Sequence, residues 1–293
     1  MIIFITVHKN LRKTNEIVKI AIQNLQVEKI YIISSKETLI TNEELIYLKN
    51  KYPNKFFFYN HNSKGIKGAW IEAMKIAIQK DANFLIFEND IVPTNFFFEY
   101  AKSCFSIYKG KNKFFGLTGY SPNDKSKISD ILKLNTFLIH RSSSWSFRST
   151  PEIAKKFLRF IDVTKIDDIG KILMVNKSKI GKDIYEHYLL DQRENRYLIG
   201  YLWNAFTVSE RGLWLYPSEH LVSCFGNDNF ATNQPDDGVS IISKFDSIFF
   251  EDVEINYKPV ENFSIIENKK LISHWNPGIL KRIFMKFKKL ISN

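Results

Sequence analysis

The 293-residue chain has only two cysteines, Cys104 and Cys224. They lie far apart in sequence with no metal-ligand spacing. A disulfide framework and a cysteine zinc site are therefore excluded, and both read as ordinary buried thiols of a reducing compartment. No run approaches the roughly 20 apolar residues that a spanning helix needs. The apolar stretch after Met1 is too short for a signal h-region and has no basic residue before it, so the expected location is cytoplasmic. No Gly-x-x-x-x-Gly-Lys-Ser/Thr loop and no nucleophile elbow with ordered Ser, Asp and His occurs, which removes P-loop and hydrolase chemistry. Arginine-rich arms, zinc fingers and aromatic RNA-binding signatures are missing too, so no nucleic-acid partner is expected.

Aromatic residues are abundant, at 15% with 25 Phe and 13 Tyr. They recur inside apolar runs such as Phe56-Phe57-Phe58, which places much of the excess in a core. Hydrophobic residues at 44% and charged residues at 25% are ordinary for a folded globular chain. The formal net charge is +11 and favours anionic partners. Most of that charge is scattered lysine, and it concentrates only near the C-terminus.

The first half alternates strand-like and helix-like patterns. Ile2 to Val7 is a continuous β-branched and aromatic run, as in a strand buried on both faces. A helical stretch follows with Ile17, Ile20, Ala21 and Leu25 on one face. Strands are predicted at Ile30 to Ile33, Phe56 to Tyr59 and Phe84 to Phe87. Helices are predicted at Thr41 to Lys51, capped by Thr41, and at Ala69 to Gln79 after Gly65 and Gly68. Later strands are expected at Phe114 to Thr118, Thr136 to Ile139, Leu213 to Tyr216 and His220 to Phe225. Helices are expected at Pro151 to Phe160 and Asp183 to Phe206, with a break near Gln192 to Asn195. The stretch from Asp162 to Lys182 gives no clear pattern. Strand-helix repetition of this kind predicts an α/β, Rossmann-like fold with a mostly parallel central sheet flanked by helices.

The fourth strand ends in Glu88-Asn89-Asp90, followed by Ile91-Val92-Pro93 and a helix starting near Thr94. Ligands of open parallel sheets bind beyond the carboxyl ends of the strands. Carboxylates at i and i+2 can approach one Mn²⁺ or Mg²⁺ ion that also bridges a diphosphate, since these hard cations take oxygen ligands. Thr6, His8 and Lys9, after the first strand, lie at the same edge and are candidates for base and ribose contacts. His61, in Asn60-His61-Asn62, and Lys64 or Lys67 follow the third strand there. Backbone amides at the next helix N-terminus, with one of those lysines, would suit a diphosphate.

The segment from Phe84 to Phe97 resembles the acidic, DXD-type motif of GT-A fold glycosyltransferases. The nearest form is Glu-Asp-Asp-x-x-x-x-Pro-x-Phe-Phe, as in N-acetylglucosaminyltransferase I-like enzymes and bacterial surface-polysaccharide sugar transferases. Asn89 replaces the middle Asp, while Asp90 keeps the position of the direct metal ligand. His140 to Phe147 is similar to the Ser-Ser-x-Gly-Trp-Ala-Thr region of the bacterial enzymes, and Gly212 to Pro217 to their Tyr-Pro segment. Further on, Asn233 stands where they carry a His. The resemblance covers roughly residues 1 to 235.

It implies a hexosyl- or N-acetylhexosaminyl-transferase that moves a sugar from a nucleotide-diphosphate donor to a glycan or lipid-linked acceptor, with inversion, in surface polysaccharide, lipopolysaccharide or capsule synthesis. Glu88, Asn89 and Asp90 would meet the nucleotide sugar, with Asp90 and Glu88 on the metal. Glu194, and next Asp191, would act as acceptor-side base, since they precede Trp203 to Phe206 as that acid does in similar enzymes. Ser144 and Trp145 would line the acceptor pocket, with Trp145 either stacking on a sugar or packing in the core.

One domain is expected over residues 1–275, its nucleotide-sugar half about 1–120 and its acceptor half about 121–275. A basic amphipathic tail would span 276–293. Ile279, Leu280, Ile283, Phe284, Phe287, Leu290 and Ile291 share one helical face there, and Lys281, Arg282, Lys286, Lys288 and Lys289 occupy the rest. Such a helix suits an anionic membrane surface and peripheral attachment at the inner face of the cell membrane. Two competing readings are a sugar-phosphate nucleotidyltransferase, which normally has a Gly-rich loop absent from Val7-His8-Lys9-Asn10, and a non-catalytic membrane-peripheral binding protein.

Overall fold

The computed structural model describes residues 1–7, 11, 13–35, 42–62, 65–121, 136–217 and 220–224. The first half runs as β1 (Ile2–Val7), α1 (Thr14–Gln23), β2 (Lys29–Ser35), α2 (Glu43–Lys51), β3 (Phe56–His61), α3 (Gly65–Gln79) and β4 (Phe84–Glu88). The second half adds β5 (Ile91–Pro93), α4 (Asn95–Tyr108), β6 (Phe114–Leu117), β7 (Thr136–Ile139) and β8 (Phe147–Ser149). Helices α5 (Pro151–Val163), α6 (Ile166–Val175), α7 (Lys177–Ile180), α8 (Lys182–Glu194) and α9 (Gly200–Ser209) follow, then β9 (Leu213–Pro217) and β10 (Val222–Cys224).

Eight strands form one sheet in the order β3-β2-β1-β4-β8-β6-β9-β7, while β5 and β10 form a small second sheet. β3, β2, β1 and β4 pair in parallel. β8 is antiparallel to both β4 and β6, β6 and β9 are parallel, and β7 is antiparallel to β9. All but β7 and β8 therefore point the same way. This is the mostly parallel sheet flanked by helices expected for a GT-A, Rossmann-like fold.

The pleat sends alternate side chains to opposite faces. Ile2 and Phe4 of β1, with Phe84 and Ile86 of β4, join one core with apolar residues of α3 and of α5 to α9. Ile3, Ile5 and Val7, with Leu85 and Phe87, join a second core with α1, α4 and Leu45 of α2. Both faces are covered, which explains why β1 reads as a continuous β-branched and aromatic run.

Several boundaries differ from those predicted. Leu25 lies beyond the end of α1 and is 99% exposed, so it does not extend the apolar face. The cap of α2 is Asn42, whose side chain accepts from the Leu45 N–H at 3.0 Å, one residue after the predicted Thr41. Gly65 and Gly68 are inside α3. Gly65 has φ +65°, and a Cβ there would sit 2.8 Å from the Tyr197 Cβ, so both the turn and that close approach require glycine. The unreadable stretch from Asp162 holds α6 and α7. The last strand is shorter than predicted and belongs to the small sheet. β8 was not predicted at all: Phe147-Arg148-Ser149 is brief and carries a charge. Arg148 is nonetheless buried, its guanidinium 4.1 Å from the Phe105 ring centroid and donating to the Ala101 carbonyl.

Gly116 of β6 is closely surrounded. A Cβ there would lie 2.1 Å from the Arg148 carbonyl oxygen and 2.5 Å from the Trp214 ring. Gly116→Ala is expected to lower unfolding free energy by about 3 kcal/mol in urea titrations through overpacking. Leu25→Ser is expected to change it by less than about 0.5 kcal/mol.

Candidate active site

The acidic turn is fixed by the strands on either side of β4. In the parallel β1–β4 ladder Thr6 is level with Glu88, so the turn opens at the carboxyl ends of both strands. The Asn89 N–H donates to the Thr6 carbonyl at 3.1 Å. Beyond Asp90 the chain enters β5, where Ile91 pairs with Cys224 of β10. The Thr94 N–H donates to the Leu221 carbonyl at 2.9 Å, which ties the start of α4 to the approach of β10.

From the other side, β8 runs antiparallel to β4 with Ile86 opposite Phe147. Continuing that register brings Glu88 level with Trp145, and the Ser144 hydroxyl hydrogen-bonds the Glu88 carboxyl. Glu88 and Asp90 each keep some exposed surface but lie among enough protein atoms to be poorly hydrated. Burial, then the neighbouring Asp90 charge, pushes the Glu88 carboxyl up to about 8, against a smaller opposing effect of Ser144. Burial also raises Asp90, opposed by its own backbone N–H. Asp90 Oδ1 is buried with no hydrogen-bond partner among the described residues. Two crowded carboxylates, one with an unused oxygen, are costly as a dianion and suited to a hard divalent cation. Among the described residues no group of three or more His, Cys, Asp or Glu gathers around one point. A Mn²⁺ or Mg²⁺ ion here would complete its shell with substrate and water oxygens.

The loop carrying Ser144 and Trp145 is held at several points. Arg141 forms a two-point ion pair with Asp183 at 2.9 and 2.7 Å and also donates to the Ile180 carbonyl. The Tyr216 hydroxyl donates to the Arg141 carbonyl at 3.0 Å, and the Ser142 N–H donates to Asn204 at 3.1 Å. The Thr118 hydroxyl donates to the Trp145 carbonyl. Trp70, Trp203 and Trp214 are fully buried, whereas Trp145 stays partly exposed. Its ring centroid is 5.0 Å from Tyr120 and 6.3 Å from His220, and Tyr120 and His220 are 5.2 Å apart. His220 Nδ1 accepts the Ser121 N–H at 3.2 Å, which assigns the ring proton of the neutral form to Nε2. Sequence reading missed Tyr120 and His220. No local pattern marks them, because only the fold joins the end of β6 to the approach of β10.

The remaining predicted residues fare differently. Thr6 is fully buried and donates its hydroxyl to the Phe87 carbonyl at 3.2 Å, so that group serves the sheet. His61 is buried at the end of β3, and the Lys67 N–H donates to the Tyr197 carbonyl at 3.2 Å. His8, Lys9 and Lys64 lie outside the described residues, as do Asn233 and the whole 276–293 tail.

The two expected bases both make contacts of their own. Asp191 is buried and accepts from the Leu198 N–H at 3.0 Å and the Tyr201 hydroxyl at 2.9 Å. It holds the 195–199 loop, in which Asn195 and Tyr197 have positive φ. Glu194 is on the surface, paired with Arg193 and with Arg196 at 2.6 Å. Hydrogen bonds from those arginines hold its carboxyl below the usual range, which weakens it as a base.

No protein-family model matches the chain, and no curated protein matches it either. Solved structures do. A mannosyltransferase from Pyrobaculum calidifontis in complex with GDP-Man and Mn²⁺ is 9% identical, with TM-score 0.38 over 55% of this chain and 46% of that one. Glucosyl-3-phosphoglycerate synthase from Mycobacterium tuberculosis, with Mn²⁺, UDP and phosphoglyceric acid, is 6% identical, with TM-score 0.35 over 55% of this chain and 64% of that one. A nucleoside-diphosphate-sugar pyrophosphorylase from Vibrio cholerae is 9% identical, with TM-score 0.41 over 76% and 95%. The chain thus spans about half to two thirds of the length of the two transferases. All three likenesses are distant.

The raised Glu88 carboxyl sets a pH dependence. Its ordinary value is 4.5 and its folded value about 8. Between the two, the folded state binds more protons than the unfolded one, so stability falls as pH rises. That contribution is complete below 4.5 and lost as pH passes 8. Glu88→Gln is therefore expected to melt with the parent near pH 4 and progressively above it towards about pH 8.5 without added metal. Parallel melting curves at every pH would contradict the assignment.

Proposed function

We propose that this chain is a glycosyltransferase that uses a nucleotide-diphosphate sugar and a divalent cation held by Asp90 with Glu88. The observation that carries it is the crowded Glu88–Asp90 pair at the carboxyl end of β4, with Asp90 Oδ1 unpartnered among the described residues. A buried acceptor left unpaired is destabilising, and a bound cation would satisfy it. Mn²⁺ or Mg²⁺, when bound, would offset charge building on the departing nucleoside diphosphate.

The chain's own groups supply the rest. Asn89, fixed through its backbone to β1, holds the turn open between the two carboxylates. Ser144 orients Glu88, and the Arg141–Asp183 pair keeps the loop bearing Ser144 and Trp145 against the acidic turn. The exposed side of Trp145, beside Tyr120 and His220, is the surface on which an acceptor sugar would stack. Glu194 and Asp191 are both engaged elsewhere, and the proposal calls on neither. The acceptor would be a glycan or lipid-linked glycan of surface polysaccharide assembly, with the sugar a hexosyl or N-acetylhexosaminyl group transferred with inversion. The 1–275 domain would be peripheral to the inner face of the membrane, attached through the 276–293 tail.

A panel of nucleotide sugars, each with and without Mn²⁺, tests this by thermal shift, since a ligand of the native state raises its melting temperature. One nucleotide class should stabilise the chain only with the metal. Asp90→Asn should weaken that binding by roughly 100-fold while folding normally. Metal-dependent turnover that survives Asp90→Asn would overturn the site.

A further inference from the structure

Helix α6 ends on an exposed apolar pair, with Met174 48% and Val175 75% accessible. Asn176 alone separates it from the single turn of α7, and Gly181, at φ 93°, is the residue between α7 and α8. Leu173 and Ile180 are buried and anchor this elbow on the core. Met174, Val175, Ser178, Lys179 and Lys182 face solvent, while Lys177 is partly covered, its ammonium 5.4 Å from the Tyr185 ring centroid. From 174 to 182 the chain carries three lysines and no acidic residue. Neighbouring acids are engaged: Asp168 pairs with Lys171 at 2.9 Å and Asp183 with Arg141 at 2.7 Å. Lys182 and Glu186, one turn apart on α8, each have a partner of their own, so Lys177 and Lys179 are the lysines that carry the inference.

We infer that this elbow docks on an anionic lipid bilayer. An acidic polypeptide would match the lysines but leave the exposure of Met174 and Val175 without purpose. An apolar protein partner would match that pair but bury ammonium groups against it. A bilayer interface accepts both, the apolar side chains at the acyl boundary and the lysines among headgroup phosphates. The elbow is also joined to the candidate site, because Arg141 donates to the Ile180 carbonyl and pairs with Asp183. Docking there would bring the loop bearing Ser144 and Trp145 towards a lipid-borne acceptor. These residues are distinct in sequence from the 279–291 tail.

Flotation of the full chain with phosphatidylcholine vesicles, with and without phosphatidylglycerol, tests the inference without any turnover. Its failure is thus distinct from failure of the proposed catalysis. The parent should float with the anionic vesicles and dissociate as salt rises. Lys177→Gln with Lys179→Gln should weaken partitioning roughly tenfold or more, from the attraction each lysine has for an anionic surface. Met174→Ser with Val175→Ser should weaken binding while leaving its salt dependence in place. Met174, Val175 and Lys179 are exposed and Lys177 is partly covered, and equal melting temperatures would verify that both variants fold. Flotation equal to the parent's in both variants, or no flotation of the parent, overturns the inference.

Discussion

The pairing of β8 between β4 and β6 is the constraint on which the site depends. β8 is only three residues long, yet it runs against the direction of both neighbours, so it starts at the carboxyl edge of the sheet and the loop before it lies there. Because Ile86 is opposite Phe147, Ser144 and Trp145 must arrive where β4 releases Glu88. A one-residue slip would turn every β8 side chain to the other face. Arg148, buried beneath α4 with its head over Phe105, and Phe147, packed against Trp203 and Trp214, resist that slip from opposite sides.

The helical region after β8 supports the same edge. Asp183 and Ile180 secure Arg141, Asn204 secures Ser142, and Asp191 shapes the loop that meets Gly65 at the start of α3. These polar contacts are partly or wholly buried, where the alternative to a hydrogen bond is an unsatisfied group. They fix one conformation of the loop beside the carboxylates. Asp90 Oδ1 is one of several buried polar atoms without a partner among the described residues, and it is the carboxylate oxygen among them that a divalent cation at this edge would satisfy.

Much of the first half was legible in sequence for a simple reason. Parallel strands buried on both faces give continuous apolar runs, and β1 and β4 differ sharply from the amphipathic helices between them. Boundaries suffered where capping competes with pattern: Asn42 rather than Thr41 caps α2, and Leu25 has helical spacing but falls after the helix ends. β8 was invisible because a buried arginine imitates a surface residue. Asp191 and Glu194 were read as bases from their place ahead of α9. Sequence could not reveal that one would be spent on a loop and the other on two arginines.

By itself, then, the sequence determined the mostly parallel α/β plan and placed an acidic turn at the end of β4, because both follow from local periodicity and from the rule that strand ends face the ligand edge. It also singled out Ser144 and Trp145. The tertiary structure alone decided that Ser144 touches Glu88, that Tyr120 and His220 gather beside Trp145, and that Asp90 keeps an oxygen without a partner. Those facts rest on strand order and on contacts between segments up to 100 residues apart, such as Ser121 with His220. A carboxylate's hydration and charge environment depend on what the folded chain packs around it, and no local pattern encodes that.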